Sequence, residues 1–221
     1  LANHVEQKSL PAQPPPPNDQ NPHSKRTDGR RLRTEESRKR IVGAVIELVL
    51  AGNLSPSAEQ VAAAARVGLR SVFRHFNDME SLYREVSVLI EPRLYAVAQQ
   101  PFVATDWQGQ VLELIGRRSV AFETLWHVLR ASQLHSFQSQ AVRDDHGRLN
   151  AALRALFLAR LPGGALKSIS IEAIDMLLSF ETWARLRCNQ NLSVEQAKDV
   201  LSHAVTAIIE RDTGKPVVPG A

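Results

Sequence analysis

VAAAARVGLRSVFRHF (residues 61–76) decides how this chain is read. Three arginines, Arg66, Arg70 and Arg74, alternate with apolar residues, and Gly68 sits among them. A buried helix has no use for the arginines. An ordinary surface helix has no use for Val72, Phe73 and Phe76 beside them. Two short helices joined by a tight turn, with glycine in the turn and cations on the second helix, satisfy both demands. Val67, Val72 and Phe76 then share the inner side, and Leu69, Arg70, Ser71 and Arg74 lie nearer the outer side. That outer side is where a helix-turn-helix meets the major groove. Arginine can address two guanine acceptors at once or hold a phosphate, and serine does either more weakly.

The surroundings agree. Between Ser24 and Arg40 eight cations face three acids, so a net charge of +4 for the 221 residues is concentrated at one end. Such a block beside a helix-turn-helix is the footprint of a polyanion-binding end; by itself it would equally suit a solvated charged tail. Residues 1–33 hold six of the twelve prolines and few apolar residues, which predicts a disordered, basic leader. Residues 211–221, RDTGKPVVPGA, read as a flexible tail. Ile41, Val45, Leu48 and Val49 place one apolar face on a helix opening near Thr34 and ending at Gly52. Ser57 and Gln60 form a capping-box pattern for the next helix. A fourth helix carries Leu82, Tyr83, Val86 and Leu89, and Pro92 interrupts or kinks it. Beyond Pro101, helical periodicity resumes over roughly 107–136, 139–161, 167–189 and 194–210. No segment alternates with period two, so the fold class is all-α: a helix-turn-helix domain over 34–80 and a helical domain over 81–210.

Within this frame, AEQVAAAARVGLRSVFRHFNDMESLYREV (58–86) resembles the DNA-binding region of the tetracycline-repressor (TetR) family of bacterial transcription regulators. The matching positions are Val61, Ala62, Ala65, Val67, Ser71, Val72, Phe73, His75, Phe76, Glu80 and Leu82. Four positions depart from the family's pattern: Arg66 stands for the turn glycine, Gly68 for the capping serine, Phe73 for a tyrosine and Met79 for a basic residue. The resemblance implies a regulator, most often a repressor, that binds double-stranded DNA as a homodimer and responds to a small-molecule effector. On this reading the DNA-contacting residues are Ser57, Gly68, Leu69, Arg70, Ser71, Phe73, Arg74 and His75. Arg30, Arg31 and Arg33 form a basic arm that compensates for the phosphate bonds Phe73 and Met79 cannot make.

The resemblance makes 81–210 an effector-binding and dimerisation domain. Its last two helices would pair two chains through Leu177, Leu178, Ala184, Leu201, Val205 and Ile208, or close their own core with them. Phe122, Trp126 and Leu129 stand at i, i+4 and i+7, and Met176, Phe180 and Trp183 repeat that spacing. Those faces either line a largely apolar effector pocket or are ordinary core. No catalytic constellation, phosphate loop or paired-histidine metal spacing is visible, and no cofactor is expected. One cysteine, Cys188, and the lack of a continuous apolar run fit a cytoplasmic setting away from membranes. Two rivals stay open: a helical small-molecule carrier or enzyme with a vestigial DNA-binding head, and a DNA-binding protein without an effector.

Overall fold

The computed structural model describes residues 22–98, 100–137 and 139–217, with the side chains of 22–30 and 90–98 outside that description. It is all-α. An N-terminal head comprises α1 (Pro22–Leu50), α2 (Ala58–Ala64), α3 (Leu69–His75) and the start of α4 (Met79–Ala98). A helical domain follows: α5 (Trp107–Thr124), α6 (Trp126–Ser136), α7 (Gln140–Leu158), α8 (Ser168–Leu177), α9 (Phe180–Ala184), a π-helical turn (Arg185–Asn189) and α10 (Val194–Thr213).

The head is built around one stripe. Ile41, Val42, Val45 and Val49 of α1 are buried, and Val61, Ala62, Ala65, Val72, Phe76 and Leu82 close the core from α2, α3 and α4. The alanines of α2 let it approach α1 closely. Gly52 ends α1 at φ 96°, with its amide bonded to Val49 O at 2.9 Å and the Asn53 amide to Leu48 O at 3.0 Å. That is a Schellman ending, which glycine adopts at little cost.

Three expectations are corrected. The first helix opens at Pro22, not near Thr34, so 22–33 extend the head as helix rather than leader. Proline suits a first helical position, because its fixed φ is helical and its missing N–H would have no partner there. The leader's remaining residues, 1–21, and the tail's last four, 218–221, lie outside the described residues. Second, the block 107–136 is two helices, broken at Leu125 with φ −107° and ψ 18°. Third, the block 167–189 breaks at Ser179, whose side chain leaves the helix and caps α9 by accepting from the Thr182 amide.

The helical domain packs α10 against α5 and α8, and α4 against α5 and α7. Because α4 belongs to both parts, the expected boundary at residue 80 falls inside one continuous helix. Arg118 of α5 is buried, and it donates to two backbone carbonyls, Leu178 O and Leu153 O, each at 2.7 Å. Burial pulls its guanidinium down to about 10, and Asp175 works against that.

Candidate nucleic-acid interface

The interface rests on two helix starts. Ser57 accepts the Gln60 amide at 3.3 Å, and Gln60 Oε1 accepts the Ser57 amide at 2.9 Å, the full capping box the sequence promised. Gln60 Oε1 also accepts from Asn53 Nδ2 at 3.1 Å, tying the α1–α2 loop to the cap. The neighbouring Ser57 hydroxyl lowers the pKa of Glu59, and its proton can be donated to a phosphate. At the other end of α2, Arg66 holds φ 54°. Its amide reaches Ala63 O at 3.1 Å, and the Val67 amide reaches Ala62 O at 3.0 Å. Arg66 thus performs the glycine's backbone role at the turn despite carrying a side chain. Gly68 then caps α3 with no side-chain hydrogen bond.

On α3, Val72 and Phe76 are buried and Val67 packs partly against the core. Leu69, Arg70, Phe73 and Arg74 are exposed, and Ser71 is half-buried. Arg74 Nη2 leans toward Ser71 Oγ at 3.5 Å, too loose to hold either side chain. Leu69 and Phe73 keep 38% and 48% of their surface open, which is expensive in water and useful against a thymine methyl. His75 departs from this outer group. It is half-buried, its Nε2 has no partner among the described residues, and its pKa lies below the usual imidazole value. Burial is the main cause, followed by Arg74 and Arg38. A neutral ring turned inward brings no charge to a phosphate.

Arg31 and Arg33 are exposed on the extended part of α1, and the Arg30 side chain lies outside the described residues. Arg38 has a different task from the rest of the basic block. It forms a two-pronged ion pair with Glu85 of α4, donates to His75 O at 2.8 Å, and lies over the Phe76 ring at 4.4 Å. One guanidinium therefore joins α1, the end of α3 and α4. Its place on the same face as Ile41 and Val45 was the available sequence signal.

A second joint connects head and helical domain. Tyr83 of α4 donates to Pro56 O at 3.2 Å and stacks on His135 of α6 with ring centroids 4.3 Å apart. His135 Nε2 donates to Leu54 O at 3.1 Å. The α1–α2 loop is thereby gripped from both α4 and α6. Nothing local in the sequence announces a contact 81 residues apart.

The six residues expected to line a pocket have a different arrangement. Phe122, Leu129, Phe180 and Trp183 are buried, and Phe180 packs edge-on against both Phe122 and Trp126, with centroids 5.4 and 5.6 Å away. Trp183 Nε1 donates to Glu123 Oε1 at 2.9 Å, so that N–H already has a partner. Met176 faces outward with 62% of its surface open. Ring-on-ring packing makes this face core. The paired apolar faces meet through Phe180, Phe122 and Trp126.

Among the described residues no group of three or more His, Cys, Asp or Glu is placed to hold a metal ion, and no helix is long and apolar enough to cross a membrane. The sequence matches no family model and no curated protein. Solved structures do match. A transcriptional regulator from Rhodococcus sp. Rha1 is 16% identical with a TM-score of 0.64, over 82% of this chain and 99% of the other. A TetR transcriptional regulator from Rhodococcus sp. RHA1 is 17% identical with a TM-score of 0.51, over 79% and 95%. The multidrug binding protein EbrR, complexed with imidazole, is 20% identical with a TM-score of 0.53, over 75% and 93%. At these identities the likeness is one of architecture: this chain has the fold of TetR-type transcriptional regulators.

Proposed function

We propose that the protein is a TetR-type transcriptional regulator, a repressor, that binds a pseudo-palindromic operator as a homodimer and is released by a small-molecule effector. The observation that carries this is the outer face of α3. Leu69, Arg70, Phe73 and Arg74 stand exposed on a helix whose opposite side is fixed by Val72, Phe76 and the Arg38 bridge. Exposed arginines beside exposed apolar side chains suit base edges, and the rigid mount sets their register. The Ser57 hydroxyl at the start of α2 adds a donor for a phosphate beside them.

One recognition helix reads only a few base pairs, so two copies are needed. The outward side of α8 and α10 supports pairing there. Ile169 and Met176 on α8 and Val200 on α10 are exposed. Of the six residues the sequence offered for pairing, Leu178, Ala184, Leu201 and Val205 are buried in the chain's own core, and Leu177 and Ile208 are partly buried against it.

The test is selection from a random double-stranded pool at near-physiological salt, with native protein and with Arg70→Ala. Enrichment of an inverted repeat, relaxed in the variant, is the expected result, with a specific-over-random preference of about 4–10 kcal/mol. Binding that ignores both sequence and Arg70 would overturn the reading.

A further inference from the structure

A cavity of about 460 Å³ opens between the head and the helical domain, and the residues expected for a pocket take no part in it. Its size falls in the range of small-molecule sites, roughly 300–1,000 Å³. One wall is apolar: Leu54 from the α1–α2 loop, with Leu134 and Phe137 from the end of α6. Leu134 and Phe137 are 46% and 85% exposed, so this wall lacks cover. The other wall is a polar chain. His146 Nε2 pairs with Glu181 Oε1 at 3.1 Å, Gln133 Nε2 donates to the same oxygen at 3.3 Å, and Arg130 Nη1 reaches Gln133 Oε1 only at 3.4 Å.

The charges on that wall are unequally engaged. Glu181 has two donors, and these hold its carboxyl down at about 2, so it stands ionised and satisfied. An incoming cation would have to displace His146. Arg130 has one long contact and no ion pair among the described residues. Its planar fork matches a carboxylate, which it can grip by two hydrogen bonds.

We infer that this cavity binds a monocarboxylate with an apolar body, the carboxylate on Arg130 and the body against Leu54, Leu134 and Phe137. The inference rests on the regulator reading for its purpose: it places the effector at the joint, where it touches the head itself. Leu54 leads into the Ser57 cap of α2, and its carbonyl is held by His135, which stacks on Tyr83. A ligand seated against Leu54 biases the α1–α2 loop, and with it α3. Such a ligand shifts DNA affinity only as far as it prefers one loop position over the other.

The experiment titrates the full chain, without DNA, against benzoate, 2-naphthoate and octanoate, with 2-naphthamide and 2-naphthylmethylammonium as uncharged and cationic counterparts. At least one carboxylate is expected to bind at least tenfold more tightly than either counterpart, and Arg130→Gln to lose that margin while its melting temperature and DNA binding stay native. Leu54→Ala should weaken carboxylate binding and, with the carboxylate at saturation, lose the ligand's effect on DNA affinity. Preference for the ammonium would overturn the ligand class. Binding indifferent to Arg130→Gln, or no carboxylate bound, would overturn the site. Carboxylate binding by a chain that selects no DNA would leave the site standing and sink the regulator reading; the reverse pattern would do the opposite.

Discussion

Arg66 carries a backbone conformation that is unusual for any residue with a side chain. At φ 54° its Cβ crowds the following carbonyl, a cost of about 1–2 kcal/mol. Glycine would remove that cost but lose about 0.5–1 kcal/mol of backbone entropy. The balance predicts that Arg66→Gly stabilises the fold by a few tenths to about 1 kcal/mol, and that β-branched Arg66→Val destabilises it by about 1 kcal/mol or more. Urea unfolding with an unchanged slope would check both. A more stable Val variant would show that the turn is held elsewhere. Arg66 is exposed beside α3, and on the proposed regulator reading its side chain meets a phosphate. Arg66→Gly should therefore bind DNA more weakly while melting higher, and a gel shift at two salt concentrations separates the two effects.

At the level of elements, α3 is short and depends on what surrounds it. Its cap at Gly68 lacks a side-chain bond, and its end at His75 is held by Arg38, which also reaches Glu85 on α4. Arg38→Met keeps the stem over Phe76 but removes the bonds to His75 O and Glu85. It should lower head stability by about 1–3 kcal/mol, the range for charge-assisted hydrogen bonds, discounted because the pair is partly exposed. Arg38→Lys should recover little, since an ammonium lacks the fork. Amide exchange on α3 is the direct measurement; unchanged protection there in Arg38→Met would refute the bridge. What is legible in the sequence follows the same division. Helix existence, the capping box at Ser57 and the two faces of α3 are local patterns, and they can be read directly. The breaks at Leu125 and Ser179 cannot, because apolar periodicity runs through both sites and only a backbone turn or a cap reveals them. The roles of Arg38, Tyr83 and His135 are hidden for another reason: each finds its partner through tertiary contact, and a basic or aromatic residue in isolation does not say what it will touch.

For the whole molecule, two consequences meet at the connection between head and helical domain and at the face proposed to pair two copies. Met176→Glu with Val200→Glu places charge on the exposed side of α8 and α10 without touching the buried core residues Leu178 and Leu201. The double variant should sediment as a folded monomer and lose inverted-repeat binding while keeping weak half-site binding. An intact dimer would move the pairing face elsewhere. The connection itself carries a pH signature. Burial holds His135 below the usual imidazole value of 6.5, and His75 behaves likewise. Between those lowered values and 6.5 the unfolded chain binds more protons than the folded one, so stability rises with pH across that window and is lost as pH falls through it. Glu181, held at about 2, and the lowered Glu113 add stability present above about 4.5 and lost further down, as pH falls through their folded values. Acid therefore weakens the fold in two stages. Burial opposes protonation of His135, while its bond to Leu54 O favours the charged ring. His135→Gln should flatten the part of the stability curve just below pH 6.5, with His75 responsible for the slope that remains, and leave the lower stage unchanged. Urea midpoints at pH 5, 6, 7 and 8 decide it: a native slope in His135→Gln would mean that the connection does not titrate.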